Sequence, residues 1–120
     1  VAINPVTAVW GVPNGEILAR PNLAQMAFAA AREAAAVAEA KRISLPFADA
    51  AEEVKAVCLA TTDNVSSMLQ DVRNGKRTEI AELNGALVRE ARAARVPVPV
   101  NKMLLAKARK LKPRKKLKIR

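Results

Sequence analysis

The sequence predicts an all-α domain, and three observations carry that expectation. Hydrophobic residues make up 51% of the 120 residues, alanine is abundant and β-branched runs are short. Aromatic residues are scarce: two Phe, one Trp and no Tyr. Apolar residues recur at helical spacing between strong breakers, and no alternating run is long enough to read as a strand. Alanine loses no side-chain entropy in a helix and lets neighbouring helices approach closely. A chain of this length can bury one core.

Taken in order, residues 1–10 read as helix, with Pro5 near a first turn or kink. "GVPNGE", Gly11 to Glu16, reads as a turn, and "RPN" from Arg20 to Asn22 as a second. The run from Leu23 to about Arg42 is a strong helix, with Leu23, Met26, Ala30, Val37 and Ala40 on one apolar stripe and Glu33 and Glu39 mostly off it. A third helix enters at Ser44 or Pro46 and turns Val54, Val57, Cys58 and Leu59 inward. Val65 to about Val72 forms a short helix stopped at Asn74-Gly75. Thr78 caps a longer one to about Arg95, with Ile80, Leu83, Leu87 and Val88 facing in. "VPVPVN" breaks it, because two prolines in four residues cannot continue a helix. Asn101 then caps a last helix from Lys102 to Leu111, and the rest is expected to fray. The expected division is a helical domain over 1–111 and a basic tail over 112–120. The opening "VAINPVTAVWG" carries no secretory pattern and reads like the middle of a helix, as in a piece of a longer protein.

Composition narrows the chemistry. The chain has no histidine, which removes the commonest metal ligand and the commonest acid–base group together. Zinc sites and Ser-His-Asp catalysis are not expected. The single cysteine, Cys58, cannot form an intrachain disulfide; it reads as a small buried hydrophobe in a reducing, cytoplasmic setting. No window approaches the roughly 18 uninterrupted apolar residues of a membrane span.

Charge is unevenly spread. Residues 1–90 hold nine basic and eleven acidic residues, net −2, whereas residues 91–120 hold twelve basic residues and no acid. The net charge of +10 therefore belongs to the C-terminal end. Such a tail suits nucleic-acid phosphates or an anionic membrane surface, but it also suits a solvated terminus. No aromatic residues are interleaved for base stacking, which argues against single-strand binding.

The stretch "NVSSMLQDVRNGKRTEIAELNG", Asn64 to Gly85, concentrates polar residues in an otherwise apolar chain. Asn64 and Ser67 are three apart and share a helical face. Glu79 opens the next helix beyond a tight turn. Neutral donors and one carboxylate suit a small ligand with its own carboxylate and hydroxyls. Each residue also has a plain reading: Asn14 as a turn residue, Asn64 as a helix cap, Glu79 at a positive helix end.

The segments "INPVTAVWGVPNGE", "NVSSMLQDVRNGKRTEI" with its following "NG", and "VPVPVN" resemble, in order and spacing from Ile3 to about Lys110, the C-terminal helical domain of ketopantoate reductase (2-dehydropantoate 2-reductase). This resemblance implies the helical domain type of 6-phosphogluconate dehydrogenase-type reductases, with an N-terminal Rossmann domain that binds NADPH and is absent from these residues. It implies reduction of ketopantoate to pantoate, on the route to pantothenate and coenzyme A, in a cleft between the two domains. Asn4, Asn14, Asn64 and Ser67 resemble the family's substrate-holding residues. Glu79 resembles its active-site glutamate, a catalytic and cofactor-contacting group. The family's catalytic lysine and a neighbouring asparagine would lie a few residues before Val1, and no GxGxxG follows a strand here. These residues alone are therefore expected to be inactive. Two other functions stay open: a structural or nucleic-acid-binding module acting through the basic tail, and a related 2-keto-acid reductase with another substrate. Pairing of two copies through apolar helix faces is a further expectation.

Overall fold

The computed structural model describes residues 2–74 and 80–110, apart from the side chains of Ser67, Met68, Ile80 and Ala81. Among the described residues there are seven helices and no strand: α1 (Ile3–Trp10), α2 (Gly15–Ala19), α3 (Pro21–Ala40), α4 (Ala50–Ala60), α5 (Ser67–Arg73), α6 (Ile80–Ala94) and α7 (Pro99–Arg109). The all-α expectation holds. The expected Gly75 stop, the Thr78 cap, Glu79 and the 112–120 tail lie outside the described residues.

α3 is the central beam. Half of its 20 residues are alanine, and it packs against α1, α2, α4, α6 and α7. Ala27 and Ala30 are fully buried, so neighbouring helices close on its backbone. One core joins α1 to α4 with α7 through Val6, Ile17, Leu23, Val54, Cys58 and Leu104. A second, smaller one gathers Val37, Ala91 and Val98 where α3, α6 and α7 meet.

Several boundaries differ from expectation, each for a local reason. Gly11, at φ +68°, stops α1 by donating its N–H to the Thr7 carbonyl, but the "PNGE" that follows starts helix α2 instead of remaining a turn. Pro21 occupies the first turn of α3, where its missing N–H costs nothing, so α3 begins two residues before Leu23. α3 and α6 stop at Ala40 and Ala94, short of Arg42 and Arg95, which both adopt left-handed φ values of 57° and 59°. Asp49, not Ser44 or Pro46, caps α4 by accepting from the N–H groups of Ala51 and Glu52. Leu59 and Leu83, expected to face inward, are 70% and 46% exposed, and Ala40 is exposed as well. Asn84, with no exposure, takes the inward place on α6 instead. α7 starts at Pro99, so Asn101 lies inside its first turn and is not its cap.

Candidate functional site

α1 and α5 are joined by a buried pair of hydroxyls. Thr7 Oγ1 lies 2.7 Å from Ser66 Oγ, although the residues are 59 apart in sequence. Ser66 caps α5, accepting from the Leu69 N–H at 3.0 Å; Asn64, expected as that cap, is not the residue used. Thr7 Oγ1 donates to the Asn4 carbonyl at 3.0 Å. A hydroxyl has one proton, so Ser66 must be the donor to Thr7. The result is a one-way chain from Leu69 N–H through Ser66 and Thr7 to Asn4.

Beside it, the turn after α4 is fastened to the start of α2. Asn14 N–H donates to the Asn64 carbonyl and Gly15 N–H to the Thr62 carbonyl, both at 3.0 Å. A Cβ on Gly15 would stand 2.5 Å from Thr62 Cγ2 and 2.8 Å from the Thr62 carbonyl oxygen, so this approach requires glycine. Thr61 Oγ1 donates to the Val57 carbonyl and accepts from Asn14 Nδ2 at 3.0 Å. That fixes which way the Asn14 amide points. Its Oδ1 is buried and has no hydrogen-bond partner among the described residues. Asn4 is half-buried and lines an open groove of about 420 Å³, bounded largely by the alanines of α3, Leu45, Phe47 and the inner face of α4.

A second polar cluster sits at the junction of α3, α6 and α7. Glu33 Oε2 accepts from the Val100 N–H at 2.8 Å, and Oε1 accepts from the Asn101 N–H at 2.9 Å. Glu33, expected off the apolar stripe, is therefore a cap supplied in trans: it satisfies orphan donors of α7 and places negative charge at the positive end of that helix. Asn101 Nδ2 donates to Glu33 Oε1 and to the Ala30 carbonyl, and Asn84 Nδ2 donates to Asn101 Oδ1. Cys58 is buried, and desolvation pushes its thiol above the usual range, which leaves it a poor nucleophile. No group of three or more metal-binding side chains occurs among the described residues, and none of their helices is long and apolar enough to cross a membrane.

The family model described as "Ketopantoate reductase PanE/ApbA C terminal" matches residues 1–112. The chain belongs to the ketopantoate reductase family. A 2-dehydropantoate 2-reductase from Archaeoglobus fulgidus is 44% identical over 104 residues, which is 87% of this chain and 34% of that protein. One from Pyrobaculum aerophilum is 42% identical over 110 residues, 90% of this chain and 39% of that protein. The chain thus spans about a third of the length of the curated relatives it matches. The crystal structure of a PanE/ApbA family ketopantoate reductase from Ralstonia eutropha superposes with a TM-score of 0.83 at 33% identity, covering 92% of this chain and 37% of that one. A D-mandelate dehydrogenase solved with NADH and anilino(oxo)acetate gives 0.77 at 26% identity, covering 92% of this chain and 61% of that one.

In this ketopantoate reductase domain hydrogen bonds link the segments that carry four of the residues singled out from sequence. Asn4 and Ser67 belong to the two helices joined by Thr7 and Ser66; Asn14 and Asn64 meet through backbone. The Asn64 residue is exposed, and its carbonyl rather than its amide holds Asn14. Of Ser67 the structure describes the backbone, as the first residue of α5, and Glu79 lies outside the described residues. Sequence reading passed over Thr7, Thr61 and Ser66. Ser66 carried a signal, because Ser-Ser before an apolar pair offers two candidate caps. Thr7 and Thr61 carried none, since their hydroxyl partners lie 59 and 47 residues away.

Proposed function

We propose that this chain is the substrate-binding C-terminal part of an NADPH-dependent 2-dehydropantoate 2-reductase, which reduces ketopantoate to pantoate on the route to pantothenate and coenzyme A. The helical unit over 1–111 holds the substrate, and 112–120 is an appended basic tail. The observation that supports this reading is the match to this family over residues 1–112, together with the hydrogen bonds that tie α1 to the start of α5 and Asn14 to Asn64.

Each residue has a role that its chemistry suits. Asn4, Asn14, Asn64 and Ser67 supply neutral donors and acceptors for the carboxylate and hydroxyls of the acid, at lower desolvation cost than buried charges. Asn14 has a buried acceptor without a partner among the described residues, so it suits a ligand hydroxyl or a bridging water. Holding the carboxylate end fixes the keto carbon, and such orientation can supply much of the rate. Glu79 acts at the reacting end, next to the cofactor. The oxygen that develops charge during reduction needs a proton, which we assign to a lysine ahead of Val1 in the longer enzyme. NADPH, when bound, supplies the hydride. The described residues contain no strand–glycine loop–helix cradle for a dinucleotide, so its binding falls to a Rossmann domain outside them.

The test is an assay of the full-length protein with NADPH and ketopantoate. Turnover that falls at least about 100-fold in Glu79→Ala, with the fold intact, supports the reading; a wild-type protein without turnover overturns it. The likeness to D-mandelate dehydrogenase favours one second reading, a 2-keto-acid reductase with a different side-chain pocket. A higher kcat/KM for an aryl 2-keto acid than for ketopantoate would select it.

A further inference from the structure

We propose that Thr7 and Ser66 are positioning residues for the 2-keto-acid site: their buried hydroxyl pair sets the spacing between Asn4 on α1 and Ser67 on α5. This rests on the functional reading above. Neither residue is open to a ligand, since Thr7 is fully buried and Ser66 is 7% exposed.

Both hydroxyls already have a partner within their own segment. Thr7 donates to Asn4, three residues back, as threonines in helices often do. Ser66 caps its own helix through Leu69. Neither local motif needs the other. What the 2.7 Å bond adds is a fixed distance between two helices that carry ligand-holding residues.

α5 packs against α1, and within that packing the Thr7–Ser66 bond is the directional contact. α5 is seven residues long and anchors through Leu69, with Val72 against Ala8 and Ala108. Small apolar contacts of this kind tolerate sliding, whereas a hydrogen bond is specific in length and angle. A valine would fill the volume of Thr7 without a polar group to satisfy, so a fully buried threonine is explained best by its hydroxyl.

Paired variants of the full-length enzyme separate bond from packing. Thr7→Val keeps the volume and loses the bond, while Thr7→Ser keeps the bond and loses a methyl. We expect Thr7→Val to lower kcat/KM for ketopantoate about tenfold, mainly through KM, at a temperature where both variants are folded. Thr7→Ser should stay within about twofold of wild type, even where its melting temperature is the lower of the two. Wild-type kinetics in Thr7→Val, a larger kinetic loss in Thr7→Ser, or a Thr7→Val protein that does not fold beside a folded Thr7→Ser would each overturn the proposal. A wild-type enzyme that reduces no 2-keto acid would instead fail the functional reading beneath it.

Discussion

Two groups of polar side chains lie inside this domain, and they are built to opposite specifications. At the α3–α6–α7 junction, both Glu33 oxygens and both functional atoms of the Asn101 amide are engaged by named protein partners. At the α1–α2–α5 end, Asn14 keeps a buried oxygen that has no partner among the described residues, and on the other side of α1 Asn4 lines a groove against α3 and α4. A buried polar group left unpaired costs about 1–3 kcal/mol, so a fold keeps one only where something else uses it. The first cluster holds helices together. The second has an acceptor that no described residue uses, and it contains residues that the proposed function assigns to the substrate.

Substitutions should divide along the same line. The largest stability effect is expected from Glu33→Ala, which strands two N–H donors of α7 and removes one of the bonds of the Asn101 amide; we expect a loss of about 2–3 kcal/mol in urea unfolding, with KM for ketopantoate unchanged. Glu33→Gln should lose about half as much, because its amide oxygen can replace only one carboxylate oxygen. A smaller loss, about 1–2 kcal/mol, is expected for Gly15→Ala, whose methyl would push Thr62 away; here KM should rise too, because the turn that carries Asn64 moves. The smallest stability change belongs to Asn14→Ala, under about 1 kcal/mol, since the bond to Thr61 and the unpaired oxygen disappear together. Its KM should nevertheless rise at least about tenfold. An Asn14→Ala protein as destabilised as Glu33→Ala would erase the distinction between the clusters.

The fold was largely legible because its signals are local. Alanine content, the Gly11 stop and the proline breaks act within a turn or two of chain. The boundary misses are local, whereas the misses inside the domain share another cause: a partner far away in sequence. Glu33 read as a surface residue because its α7 partners lie 67 and 68 residues on. Asn101 read as a cap, although it is buried within the first turn that Glu33 caps in trans. Leu83 read as core, yet Asn84 is the buried neighbour because it pairs with Asn101. The candidate site was less legible. Spacing put Asn64 and Ser67 on one helical face of a helix starting at Val65, but α5 begins at Ser67 and Asn64 lies outside it, because Ser66 and not Asn64 caps the helix; Asn4, Asn14 and Glu79 came in through the family resemblance. The residues that support them, Thr7, Thr61 and Ser66, became visible only in three dimensions.

Ligand-induced stabilisation separates the two clusters in one experiment, because a ligand bound to the folded state raises its melting temperature by an amount that grows with the logarithm of ligand concentration over Kd. Pantoate should be titrated into the full-length wild-type protein and its Glu33→Gln and Asn14→Ala variants. We expect a rise of several degrees in wild type and the same rise in Glu33→Gln from a lower starting point, with little or none in Asn14→Ala. An equal rise in Asn14→Ala, or a rise lost in Glu33→Gln, would contradict that expectation.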